Sequence, residues 1–260
     1  MTGNDKKRGL VVQPRDRKLL EALAVMRVVD REQAKIVAGF GSTTRVNTRL
    51  LALTRAGLLR RFFLGSRKSI YALSEKGAQL ALVPMRGPRR RQDETLVADF
   101  FIEHQLAVNG IYCALKYGAI HVAGVTFRRW LPFYEPISPA VRLIPDGYVE
   151  LATPGETLAA FLEVDLGHER GAVWTEKVRN YLQLALSGDF ERRFGGQRFR
   201  VLVLANSARR LHSLRKRVAA ITQKIFWFAT LEAIRGEGFF AADWYRPTGD
   251  APKQFIEEPR

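Results

Sequence analysis

The sequence predicts an α/β (α+β) protein in two parts, and three observations point there. The first third reads as helices closed by a pair of strands. The remainder alternates strands with helices. The positive charge gathers in the first part: residues 1–92 hold 21 Lys and Arg against 6 Asp and Glu, and the rest of the 260-residue chain holds 21 against 20. With 47% hydrophobic residues the chain has enough apolar material for two cores. A formal net charge of +16 exceeds what solubility requires and suits a polyanionic partner.

The elements of the first part follow in order. From Arg15, Leu19, Leu20, Leu23, Val25 and Met26 recur at helical spacing, and Asp30 suits the cap of a second helix carrying Ala34, Ile36 and Val37. Gly39-Phe40-Gly41 interrupts. Ser42 caps a third helix over 43–56, with Val46, Leu50 and Leu53 inward and Gly57 as its stop. Leu58 to Leu64 and Ser69 to Leu73 read as strands joined by Gly65-Ser66-Arg67-Lys68, and Ser74 caps a further helix. Three helices followed by a basic hairpin is the winged helix-turn-helix order, and Leu50 to Leu59 with Tyr71-Ala72-Leu73-Ser74-Glu75-Lys76-Gly77 resembles many bacterial winged-helix regulators.

In that arrangement Thr43, Thr44, Arg45, Asn47, Thr48 and Arg49 face the major groove of double-stranded DNA, and Arg67 and Lys68 on the wing meet phosphate or the minor groove. The competing reading is a solvated face on a protein-docking module, which needs no such charge. Tyr71 and Phe62 are expected in the core.

Cys113 is the only cysteine, which excludes an internal disulfide and a Cys-rich zinc site and suits a reducing cytoplasm. No apolar run reaches the roughly 18 residues of a membrane span, and Met1 to Arg8 is not followed by a signal-peptide core, so no membrane partner is expected. Pro84, Gly87, Pro88 and four arginines between Arg86 and Arg91 mark a linker. The expected divisions are a basic tail 1–13, a DNA-binding domain 14–83, a linker 84–93, a second domain 94–245 and a tail 246–260.

In the second domain a helix over 94–115 carries Leu96, Phe100, Phe101, Ala107 and Ile111. An irregular segment rich in Pro and aromatics follows. Val141 to Leu151 and Leu158 to Leu166 read as paired strands, then a helix over 172–186, a buried strand over 199–205 and a basic helix over 208–223. Asp146, Glu163 and Asp165 stand at adjacent strand ends, and period-two alternation puts 163 and 165 on one face. Such carboxylates suit a hard cation, Mg²⁺ or Mn²⁺, able to polarise a phosphate and generate hydroxide.

This order resembles the restriction-endonuclease-like PD-(D/E)xK fold. The winged helix, Pro145-Asp146-Gly147, the run Phe161 to Gly167 and the run Glu176 to Tyr181 together resemble the replication-relaxation family of plasmids and mobile elements. The resemblance implies a DNA-binding protein acting in replication, relaxation or mobilisation, with replication or mobilisation proteins and a second copy of itself as further expected partners. From the carboxylates themselves, rather than from that resemblance, metal-dependent strand nicking through Asp146, Glu163, Asp165 and Lys177 is the expected chemistry. Where the nuclease motif has Lys this chain has Asp165, which cannot stabilise an attacking hydroxide. Lys177, sharing a helix side with Val173, Tyr181 and Leu184, is the expected substitute. The alternative is a non-enzymatic regulator whose nuclease-like domain is a scaffold. Glu103 and His104 read as ordinary helix residues, His168 and Glu169 as loop, Trp130 and Trp174 as packing. The cations Arg209, Arg210, Arg215, Lys216 and Arg217 form a phosphate-binding face or a solvated one.

Overall fold

The computed structural model describes residues 10–65, 67–85 and 95–256. The chain divides into two compact units, Met1–Asn109 and Gly110–Arg260. Most of the expected basic tail 1–13 and linker 84–93, and the end of the tail 246–260, lie outside the described residues.

In the first unit Pro14 occupies the first turn of α1 (Pro14–Met26), where its missing N–H costs nothing, and Asp16 reaches back to the Gln13 backbone N–H at 2.6 Å to close that end. Arg27 at φ 64° ends the helix, and the short β1 (Val29–Asp30) follows. Asp30 caps α2 (Arg31–Ala38) by accepting from the Gln33 N–H at 2.9 Å, and Gly39 at φ 65° stops it. Ser42 caps α3 (Thr43–Arg55) through the Arg45 N–H at 3.3 Å. The strands β2 (Leu59–Leu64) and β3 (Lys68–Leu73) form an antiparallel hairpin with Leu59 opposite Leu73, and β1 adds to the free edge of β3. Ser74 caps α4 (Glu75–Ala81).

Leu19, Leu20, Leu23, Val46, Leu50 and Leu53 are buried as expected, each contributing about 1.5–3 kcal/mol. Ile36, expected inward, is exposed. The helix α5 (Thr95–Lys116) begins in this unit, where Ile102 and Leu106 pack with Val28, Ile70 and Ala72. Its buried Asn109 donates to the Met26 and Val28 carbonyls at 3.0 and 2.7 Å, supplying donors to carbonyls that the end of α1 leaves without helical partners. The inward stripe is therefore Ile102, Leu106 and Asn109, and Phe100 and Phe101, expected on it, are exposed.

The second unit is built on a five-stranded mixed sheet, β4 (Thr126–Leu131), β5 (Gly147–Thr153), β6 (Glu156–Asp165), β7 (Arg200–Ala205) and β8 (Phe226–Thr230), in that spatial order. The first three are antiparallel and the last three parallel. Parallel neighbours need crossovers. These are α6 (Gly171–Leu186) with the short α7 (Asp189–Phe194), and α8 (Ala208–Ala219); α9 (Leu231–Glu237) follows β8. Tyr148, Phe161, Val201, Val203, Phe226 and Phe228 meet Trp174, Val178, Tyr181, Leu211 and Leu214 in one core.

The strand expected over 141–151 begins only at Gly147, because Pro145 has no N–H to give a ladder. Gly147 itself is required by packing: a Cβ there would lie 2.4 Å from the Trp130 ring. The strand β4 hid in the aromatic segment, and α8 stops short of the expected residue 223. Among the described residues no helix is long and apolar enough to cross a membrane.

Candidate functional site

Two sets of side chains stand out, one in each unit. In the first, the Ser42 cap fixes the phase of α3, so that burial of Val46, Leu50 and Leu53 turns Thr44, Arg45, Asn47 and Thr48 to solvent. Thr43 is half-buried. Arg49 is turned back towards α1. Its Nε donates to Asp16 Oδ1 at 2.8 Å, and its Nη2 donates to Asp16 Oδ2 and to the Val11 carbonyl. Asp16 is 1% exposed, and its hydrogen bond to Arg49 raises the guanidinium above its ordinary value. Arg49 thus ties α3 to α1, and of the side chains expected to face DNA from α3, Thr44, Arg45, Asn47 and Thr48 are the exposed ones.

On the hairpin Arg67 is exposed, and Lys68 pairs at 2.8 Å with Asp30, the cap of α2. Arg61, which sequence reasoning missed, lies over the exposed Phe63 ring at 4.8 Å and donates to Ser69 Oγ. Strand alternation alone places it on the outer face. Asp16, also missed, has a local signal in its spacing from Gln13 but none for its partner 33 residues away.

In the second unit Glu163 and Asp165 share the helix-facing side of β6, as period-two alternation requires. Each is 1% exposed. Glu163 Oε1 accepts from the Tyr181 hydroxyl at 2.6 Å and Oε2 from Lys177 Nζ at 2.8 Å. Lys177 also donates to Glu169 at 2.7 Å. Lys177 and Tyr181, four residues apart on α6, therefore grip one carboxylate. Val173, expected on the same side, is exposed. Burial pushes Glu163 up to about 7 against the pull of Lys177. Lys177 loses by its own burial, but Glu163, Glu169 and Asp146 outweigh that and hold it charged.

Asp165 has a separate set of partners. Arg210 of α8 clamps it with Nε to Oδ1 and Nη2 to Oδ2, both at 2.8 Å, while the Trp174 Nε1–H and the Gly167 N–H each donate at 2.6 Å. Burial raises Asp165, yet these donors outweigh it and hold the carboxyl below its ordinary value. Asp146 Oδ2 accepts from the Val164 N–H at 2.7 Å, which pins the turn before β5 to β6. Sequence reasoning found these acids but missed Arg210 as a partner. It also missed Glu150, buried between Arg129 and the Tyr148 hydroxyl. His168 stays exposed in the loop after β6, and Glu103 and His104 stay on α5.

A divalent cation would take carboxylate oxygens as ligands. Both oxygens of Glu163 and both of Asp165 are taken by N–H and O–H donors on different helices. Among the described residues no group of three or more His, Cys, Asp or Glu side chains is placed to hold a metal ion. In this arrangement Asp146 accepts from the Val164 N–H, Glu163 from Lys177 and Tyr181, and Asp165 from Arg210, Trp174 and Gly167. A cavity of about 720 Å³ on the same sheet, lined by Arg128, Arg129, Glu150, Phe194 and Arg198, includes none of them.

A family model described as replication-relaxation matches residues 20–198. The chain matches no curated protein and no solved structure.

Proposed function

The chain belongs to the replication-relaxation family, and from that premise we propose that it binds double-stranded DNA of a plasmid or mobile element through its first unit, acting as a winged helix, and serves replication or relaxation by binding. The observation that carries this reading is the solvent-facing set Thr44, Arg45, Asn47 and Thr48 on α3 beside the exposed Arg67 of the hairpin, in the third of the chain that holds most of the net charge. A helix of this kind reads base edges while cations on the wing meet phosphate. Arg49 supports the reader by fixing α3 on α1, and Lys68 is shared with Asp30.

The second unit enters this proposal as a scaffold. Its acids are spent on internal partners: Glu163 joins β6 to α6, and Asp165 joins β6 to α8. Where a nuclease of the resembling fold has a Lys beside its metal, Asp165 carries Arg210 instead. No bond-breaking step is therefore assigned to it.

Native electrophoresis of supercoiled plasmid with the purified chain and Mg²⁺ tests the proposal. The plasmid should be retarded by the protein and should run as intact supercoiled DNA once protein is removed. Arg45→Gln/Arg67→Gln should weaken the retardation. Absence of retardation at low salt overturns the binding reading. Nicked plasmid that disappears with Glu163→Gln replaces the scaffold reading with strand cleavage through Asp146, Glu163 and Lys177.

A further inference from the structure

Helix α8 carries five of the second unit's cations and no acidic residue. Two of the five are used inside the fold. Arg210 clamps Asp165, and Arg215, 8% exposed, donates to the Arg246 and Gly249 carbonyls. The other three, Arg209, Lys216 and Arg217, are exposed and have no ion pair or side-chain hydrogen bond among the described residues. They share one face with His212 and Ser213, at the i, i+3, i+4, i+7 and i+8 spacing of a helix stripe. The guanidinium of Arg217 lies over Gly171, where a Cβ would stand 2.4 Å from Cζ, next to the exposed Arg170.

We propose that this face of α8, Arg209, Lys216 and Arg217 with Arg170 beside them, is a second binding surface for the phosphate backbone of duplex DNA. The inference rests on the reading of the chain as a DNA-binding protein and adds a contact that the first unit does not supply. Three exposed cations on one stripe repel one another, and only an anionic partner converts that repulsion into attraction. Arg209 and Lys216 or Arg217 are seven or eight residues apart, about 11 Å along the helix, which is roughly three base-pair rises of a DNA strand.

The composition of the face selects this partner over others. A docking protein would want an apolar centre with a polar rim. The exposed stripe has no apolar member. A membrane surface would want the apolar side of an amphipathic helix for its acyl boundary. That side of α8, Leu211, Leu214 and Val218, is already buried in the core of the second unit.

The test uses the full chain and a duplex oligonucleotide, with affinity measured by fluorescence anisotropy at several salt concentrations. In Arg209→Gln/Lys216→Gln/Arg217→Gln each substitution removes a charge and keeps a good helix former, so circular dichroism should match the unaltered chain. The slope of log affinity against log salt should fall by about 2 to 3, because every phosphate that a cation neutralises adds roughly 0.9 to it. Arg170→Gln, outside the helix, should lower it by a further unit or less. An unchanged slope in the folded triple variant overturns the inference. Weaker binding in Arg45→Gln/Arg67→Gln with none in the triple variant overturns it as well, leaving the first unit as the whole interface. Weaker binding in the triple variant alone upholds it and removes the first unit from the proposed reading.

Discussion

Replacing Arg210 by Ala isolates the Asp165 anchor. Asp165, 1% exposed with Arg210 in place, would keep the Trp174 indole and the Gly167 N–H as donors but have no positive charge beside it. Removing one partner of a buried ion pair costs about 3–5 kcal/mol. The Arg210 side chain is 21% exposed and two donors stay with Asp165, which puts the loss near the lower figure, about 3 kcal/mol. For a unit of this size that is a fall in Tm of about 6–12 °C. Asp165→Asn should cost less, because Arg210 is near enough to solvent to be hydrated. The double variant Asp165→Asn/Arg210→Ala should recover part of the single Arg210 loss, since no unpaired carboxylate is left. Urea unfolding of the four proteins, followed by Trp fluorescence, measures the coupling directly. Additive losses, or an Arg210→Ala variant as stable as the starting protein, would refute the view that Asp165 is spent on α8.

Other outcomes follow from the same geometry. Because its partners hold Asp165 below 3.8, its contribution to stability is in place above about pH 4 and is lost as pH falls through the lowered value; Asp165→Asn should show a shallower acid loss in unfolding curves taken from about pH 6 to 3. Arg45→Ala should weaken binding to a preferred duplex site by about 1–3 kcal/mol more than to random duplex, and Arg67→Ala should weaken both alike, as competition titrations would reveal. Gly77→Ala should destabilise the first unit by about 1–3 kcal/mol in urea, since its Cβ would fall 2.1 Å from the Leu58 carbonyl oxygen; no loss would mean α4 can shift freely.

Much of the fold is legible because its signals are local. Asp30, Ser42 and Ser74 each cap the helix their positions suggest, and the alternation of β6 correctly places Glu163 with Asp165 on one face. The element order of an α/β chain follows from those signals. What escaped was decided by distant partners. Arg49 looks like one more cation on a basic helix until Asp16, 33 residues earlier, takes it. Asp165 and Arg210, 45 residues apart, meet because the parallel pairing of β6 and β7 sets Asp165 level with Ala205, and α8 starts just after β7. The strand β4 escaped because its Phe127, Arg128, Arg129 and Trp130 do not alternate, and its pairing with β5 shifts register at that point.

The central claim is that the basic first unit binds duplex DNA through α3 and the hairpin, and the salt dependence of that binding tests it most directly. Anisotropy titrations of the full chain between about 50 and 200 mM salt should show affinity falling roughly a thousandfold or more, as several released counterions require, with Arg45→Gln/Arg67→Gln starting weaker and falling less. Affinity that is flat across that range, or unchanged in the double variant, would contradict the account.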